Sequence, residues 1–240
     1  MVFKMLNSKI ILYIKKHNFI YFPLKYIKNN TVDIYLNYKR NKVFLEKGRE
    51  ALLIFDKALK EANVNYWLCF GTLLGAVREK SFIKHDLDID VGVPFQSYGK
   101  DIENALIHNG FKKTRHFLID NGDFGREETY TYKNVSIDVF YFKVINNVTF
   151  CHLFDPKDKN NKVLDPHNPA KYAVRELNYP FEGFLEIDFL GGSFNIPSNY
   201  KEWLKNDYGE NYMIPDPNYK PTSRPNVRHL TDKYGVLENF

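Results

Sequence analysis

The chain has 240 residues, 44% hydrophobic and 16% aromatic, which is ample for a packed core and excludes an intrinsically disordered protein. Its two cysteines, Cys69 and Cys151, are too few for a disulfide framework or a four-ligand zinc cage, so a reducing, cytoplasmic setting is expected. The net charge of +5 is uneven: residues 1–60 carry 13 Lys and Arg against 4 Asp and Glu, while the rest of the chain carries 21 against 25.

The basic excess begins in residues 1–28, where Lys4, Lys9, Lys15, Lys16, Lys25 and Lys28 alternate with apolar residues such as Phe3, Ile10, Ile11, Phe19 and Leu24, without one acid. No apolar run there approaches the roughly 20 residues that span a bilayer, and there is no small-residue cleavage site, so neither a membrane span nor a secretory signal is expected. A basic segment with an apolar face suits the anionic surface of a membrane, which would make the protein peripheral on the inner face. The plain alternative is a helix packed on the domain with its lysines in water. The aromatic residues form no base-stacking module, so nucleic acid is not an expected partner. Residues 1–32 are taken as this arm.

Residues 33–62 follow with Val43, Phe44, Ala51, Leu52, Phe55, Ala58 and Leu59 at three- and four-residue spacing, predicting a long helix closed by Asn63. Asn65 to Phe70 reads as a short buried strand running into a turn at Gly71, with a helix from Thr72 to Lys80. Residues 86–93 alternate carboxylates with aliphatic residues, the period of a strand, and Pro94 ends it. A helix is predicted over 97–108, closed by Gly110, then strands near 111–119, 128–133, 135–143 and 147–154. Residues 155–180, rich in Asp, Asn, Pro and Lys, read as an irregular lobe. A strand pair is expected over 184–196 around Gly191-Gly192, and Ser198 as the cap of a short helix holding Trp203 and Leu204. Pro215, Pro217, Pro221 and Pro225 then predict an extended tail on the surface. The order of elements predicts an α+β or mixed α/β sheet domain over 33–217, with a tail over 218–240.

The chemistry concentrates in Phe70-Gly71-Thr72-Leu73-Leu74-Gly75-Ala76-Val77-Arg78 and in Asp86-Leu87-Asp88-Ile89-Asp90. In one strand the three aspartates share a face, with neighbours about 6.6 Å apart. At that spacing two charges repel by roughly 2.5 kcal/mol at an effective dielectric of 20, so solvent screens them or a metal uses them, and Mg2+ suits oxygen ligands beside a phosphate better than zinc does. Alone, such a triplet is more often a solvated strand edge. The Gly71-Thr72 turn lets the backbone approach a ligand and offers helix N–H groups to an anion, although it has neither P-loop nor dinucleotide-fold spacing. Asp138, in Val135-Ser136-Ile137-Asp138-Val139-Phe140, stands among residues that seek burial, so it faces a cleft or holds a strong partner. Arg78 can clamp a phosphate or pair with a surface acid.

Together these residues resemble the LicD/fukutin family of phosphotransferases, a branch of the nucleotidyltransferase superfamily. The motif at 71–78, Phe82-Ile83 and the acidic run 86–90 look like the family's glycine-rich signature and metal-binding strand. Ile137-Asp138-Val139-Phe140 is similar to the motif of the third carboxylate, and Ile196-Pro197-Ser198-Asn199-Tyr200, Leu204 and Tyr208-Gly209 to Pro215 look like the C-terminal box. The chain departs from the pattern with His85 before the acidic run and Leu87 within it. It also lacks the zinc-binding cysteines of some eukaryotic relatives.

The resemblance implies a nucleotidyltransferase (polymerase β-like) mixed sheet flanked by helices, with an N-terminal helical arm and a small C-terminal extension. It also implies transfer of a phospho-alcohol group, such as phosphocholine or ribitol phosphate, from a CDP-alcohol donor to a glycan or lipid-linked glycan, in cell-surface polysaccharide or lipopolysaccharide modification. Asp88, Asp90 and Asp138 would be the catalytic and metal-binding residues, for Mg2+ or Mn2+. Gly71, Thr72 and Arg78 would hold phosphates, with Asp86 in support. His85, outside the family's pattern, reads either as a proton shuttle or as a plain residue flanking the strand. The competing readings are a nucleotidyltransferase that moves a nucleoside monophosphate and releases pyrophosphate, and an inactive binding or scaffold relative.

Overall fold

The structure is a computed structural model that describes residues 18–157, 164–165, 168, 170–216, 219 and 224–240, residues 18–34 by their backbone alone. The chain divides into two compact units, Met1–Lys42 and Val43–Phe240. In the first, the described residues are helical. The side chains of residues 1–28, on which membrane contact is expected, lie outside the described residues. No helix among the described residues is long and apolar enough to cross a membrane.

Helix α1, Asn18–Glu61, begins well before its expected start at residue 33. From Phe44 onward its buried residues (Phe44, Ala51, Leu52, Phe55, Ala58 and Leu59) follow the helical stripe read from the sequence. Phe44 packs on Phe82, and Phe55 packs edge-on against Tyr66 and Phe111. Asn63, in the left-handed region at φ 54°, reverses the chain after the helix.

The remaining elements are β1 (Trp67–Leu68), α2 (Phe70–Leu74) with a π-helical turn (Gly75–Glu79), β2 (Asp88–Pro94), α3 (Lys100–His108), β3 (Lys112–Ile119), β4 (Gly125–Tyr132), β5 (Val135–Ile145), β6 (Val148–Asp155), β7 (Lys171–Pro180), β8 (Phe184–Phe189), β9 (Gly192–Pro197), α4 (Tyr200–Tyr208) and β10 (Val227–Asn239). Eight strands form one mixed sheet in the order β1-β2-β5-β4-β3-β10-β7-β6, and β8 and β9 form a separate hairpin. Among the described residues only β2 and β5 run parallel, and the other pairings are antiparallel. The expected α+β architecture, a mixed sheet flanked by helices, is thus the observed one. The sheet also closes, because β6 pairs with the far end of β5 at Lys143↔Phe150, so β5, β4, β3, β10, β7 and β6 form a ring. Trp203 of α4 stacks on Tyr179 of β7 with ring centroids 4.2 Å apart, fixing that helix on the sheet.

Three local expectations are corrected. Residues 171–180, read as part of an irregular lobe, are strand β7, whose buried Val174, Leu177 and Tyr179 are interleaved with Arg175, Glu176 and Asn178. The cap of α4 is Asn199, not Ser198. Most consequentially, the proline-rich tail returns to the sheet, where β10 lies between β3 and β7. That strand buries only Gly235, so no alternating apolar pattern announces it.

Candidate active site

Strand β1 pairs antiparallel with β2, and the chain turns into α2 at Phe70, whose backbone takes the left-handed region at φ 46°. The Gly71 N–H donates to Asp90 Oδ2 at 3.1 Å, and the Thr72 hydroxyl accepts the Asp90 N–H at 2.9 Å. The glycine motif therefore grips the acidic strand at one residue, by side chain and by backbone. Thr72 is 1% exposed, its hydroxyl held by the Asp90 backbone. A Cβ at Gly71 would lie 3.4 Å from Asp90 Oδ2 and 3.5 Å from Asp86 Oδ2, in the space where both carboxylates meet the backbone. Gly75 serves packing, since a Cβ there would stand 2.7 Å from the Ser81 carbonyl oxygen. Arg78, on the π-helical turn, pairs with Glu79 at 2.8 Å and donates to the Tyr212 carbonyl at 3.1 Å, tying the motif to the C-terminal segment.

Asp86 lies two residues before β2, not within it, and His85 is exposed beside it. Asp88 and Asp90 are in the strand, and the parallel register sets Asp90 beside Asp138 of β5. Antiparallel β4 adds Thr129 on the other side of Asp138, its hydroxyl donating to Asp138 Oδ1 at 2.5 Å. Arg115 of β3 donates through Nε to Thr129 Oγ1 at 2.8 Å, and its Nη2 is 3.5 Å from Asp138 Oδ2 and 3.9 Å from Glu127 Oε1. Crowding of carboxylates shows in their acidities. Burial and the neighbouring Asp88 push Asp86 up to about 7. Burial, then Asp88, Asp138 and Asp86, hold Asp90 well above the usual range, against the Gly71 amide that lowers it. Burial and Asp138 likewise raise Glu127, with Arg115 opposing.

Gly71, Arg78, His85, Asp86 and Asp90 line a cavity of about 560 Å³. Its aromatic and C-terminal walls come from Phe70, Phe140, Tyr208, Tyr212, Tyr219 and Arg224. The sequence reading missed Glu127, Arg115, Thr129 and Arg224. Arg126-Glu127-Glu128-Thr129 is as polar as a solvated turn, yet all four residues are buried. A run of charge within a predicted strand region was the available signal.

Thr129→Val is close in volume and deletes both the donor to Asp138 and the acceptor of Arg115. If Asp138 ligates a metal, as proposed below, the folded variant should lose roughly 10- to 100-fold in activity, as on removal of a partner that orients a ligating carboxylate, and need more Mg2+ for half-maximal rate. A metal titration of the variant reads both.

A glycine turn locked to a two-aspartate strand, with a third carboxylate on the adjacent parallel strand, defines a nucleotidyltransferase-type domain. Residues 63–199 match the nucleotidyltransferase domain of the LicD/FKTN/FKRP family, and the chain belongs to that family. It is 26% identical over 209 residues to the mouse (Mus musculus) protein named ribitol-5-phosphate transferase FKTN, covering 86% of this chain and 41% of that protein. It is 28% identical over 181 residues to the human (Homo sapiens) ribitol 5-phosphate transferase FKRP, covering 70% and 33%. The chain thus spans less than half the length of these relatives.

Proposed function

We propose that the protein transfers a phospho-alcohol group, of the ribitol-phosphate or phosphocholine kind, from a CDP-activated donor to a hydroxyl of a glycan or lipid-linked glycan. The observation that carries this reading is Asp88 and Asp90 on one strand with Asp138 on the adjacent parallel strand, at a cavity of about 560 Å³ lined by Gly71, Arg78, Asp86 and Asp90. Membership of a family whose relatives are named ribitol-5-phosphate transferases supports the choice of reaction.

A hard divalent cation, Mg2+ or Mn2+, fits the donor set, which is all carboxylate oxygen and in which burial and then mutual repulsion raise Asp90. Among the described residues no three His, Cys, Asp or Glu side chains form a metal cage by themselves. A Mg2+ site of one or two carboxylates completed by water and substrate phosphate has no need of one. Asp88 and Asp90 would hold the ion, which when bound would neutralise charge on the pyrophosphate and on the departing CMP. Asp138 either completes that set or accepts the proton of the attacking hydroxyl, held in place by Thr129 and Arg115. Arg78 lines the cavity that would receive the phosphates, Gly71 lets the backbone pass close to Asp86 and Asp90, and Asp86 supports the acidic strand. A cytoplasmic enzyme with its basic segment 1–28 on the inner membrane surface suits a cell-surface polysaccharide or lipopolysaccharide acceptor. An unchanged cell-fractionation pattern after removal of residues 1–28 would refute that placement.

The deciding experiment incubates the protein with Mg2+ and a panel of CDP-alcohols and identifies the released product. CMP is the expected product and depends on Asp88 and Asp90. Pyrophosphate released from a nucleoside triphosphate would replace this reading with nucleotidyl transfer, and no metal-dependent turnover at all would leave a binding relative.

A further inference from the structure

The second arginine of the cavity, Arg224, comes from the segment whose prolines predict a surface tail. Its side chain is 8% exposed, and its Nη1 lies 3.5 Å from Asp207 Oδ1, an ion pair in which Asp207 is also buried. Nε donates to the Tyr219 hydroxyl at 3.2 Å, and that hydroxyl donates to the Asp207 carbonyl at 2.7 Å. The Tyr179 hydroxyl donates to Asp207 Oδ1 at 2.7 Å, so the anchor is itself anchored. The guanidinium carbon stands 5.5 Å from the Phe70 ring centroid and 5.9 Å from that of Tyr208.

That same Nη1 is buried and, with Asp207 only at ion-pair distance, makes no hydrogen bond. Leaving such a donor unmet is costly, and a phosphate oxygen is the group that a fixed guanidinium meets best. Arg224 lines the same cavity as Gly71, Asp86 and Asp90. Arg78, the other arginine there, is engaged by Glu79 and by the Tyr212 carbonyl. We propose that Arg224 is a substrate-binding residue that hydrogen-bonds a phosphate oxygen of the donor, with Asp207 and Tyr219 as its positioning residues. This rests on the proposed reaction for the identity of the phosphate, but not for its presence.

The test titrates the full chain in Mg2+ with CDP, with pyrophosphate and with cytidine as the phosphate-free control. Arg224→Gln should weaken CDP and pyrophosphate roughly 10- to 100-fold, the value of a charge-assisted bond, and leave cytidine unchanged. Arg224→Lys, which keeps the charge but not the fork, should fall between. Because Arg224→Gln strands a buried Asp207, the double variant Arg224→Gln/Asp207→Asn removes both charges and should show the same selective loss. A folded variant that binds CDP within twofold of the wild type overturns the proposal, as does equal weakening of cytidine. If the wild type turns over no CDP-alcohol yet loses pyrophosphate binding on Arg224→Gln, the proposed reaction fails and this assignment stands. CMP release together with unchanged phosphate binding in the variants upholds the reaction and overturns the role of Arg224.

Discussion

Asp90→Asn is expected to abolish transfer while raising the melting temperature of the metal-free protein. Asp90 adjoins Asp138 across parallel strands, which lie about 4.8 Å apart, and two carboxylates near 5 Å repel by roughly 3 kcal/mol at an effective dielectric of 20. An amide removes that repulsion and still accepts the Gly71 N–H, while the Thr72 contact runs through the backbone and is untouched. Loss of the charge that would face the metal should cost at least about 100-fold in rate.

Burial, together with the same crowding, sets a pH dependence. Asp86 rises from 3.8 to about 7 and Asp90 moves the same way, so the folded state binds protons that the unfolded chain has already released. Their contribution to the stability of the metal-free protein is therefore fully present below pH 4 and falls as pH climbs towards 7. Each group contributes a loss of up to about 1.4 kcal/mol for every pH unit crossed, before solvent screening of the half-buried Asp86. Melting in a chelator at pH 5 and pH 8 should show the wild type weaker at pH 8, the variant less so, and Mg2+ restoring more at pH 8 than at pH 5. A variant no more stable than the wild type at pH 8 would contradict the crowding argument.

Deleting residues 227–240 should prevent folding of the main unit, not merely trim it. Strand β10 is hydrogen-bonded on both sides, to β3 through Val236↔Leu118 and to β7 through Val227↔Leu177. Its loss breaks the ring and leaves the ladder groups of β3 and β7 without partners, two raw edges that favour aggregation. A soluble truncation with the wild-type circular dichroism spectrum and melting temperature would show that the strand is dispensable. A single substitution at its exposed Asp232 should by contrast change stability little.

These expectations divide along the line between local and long-range information. The α1 stripe, the β8–β9 hairpin and the alternation of β2 were legible because periodicity and turn residues report on neighbours in sequence. Strand β7 was not, because its Arg175 and Glu176 are charged residues buried by pairing, where composition signals a loop. Asp86 fell outside the strand although it continues the alternation, because no partner strand extends that far.

The sequence by itself determined the chemistry's ingredients: the Gly71–Arg78 motif, the carboxylates at 86, 88 and 90, Asp138, and through them the family. Spacing along the chain suffices for those, since strand and turn geometry act over a few residues. Only the tertiary structure decided which groups share a site. Register put Asp90 against Asp138 and buried Thr129, Glu127 and Arg115 beside them, and the return of the C-terminal segment brought Arg224 to the cavity. Register and chain return depend on how the whole core packs, and no local pattern in the residues concerned encodes them.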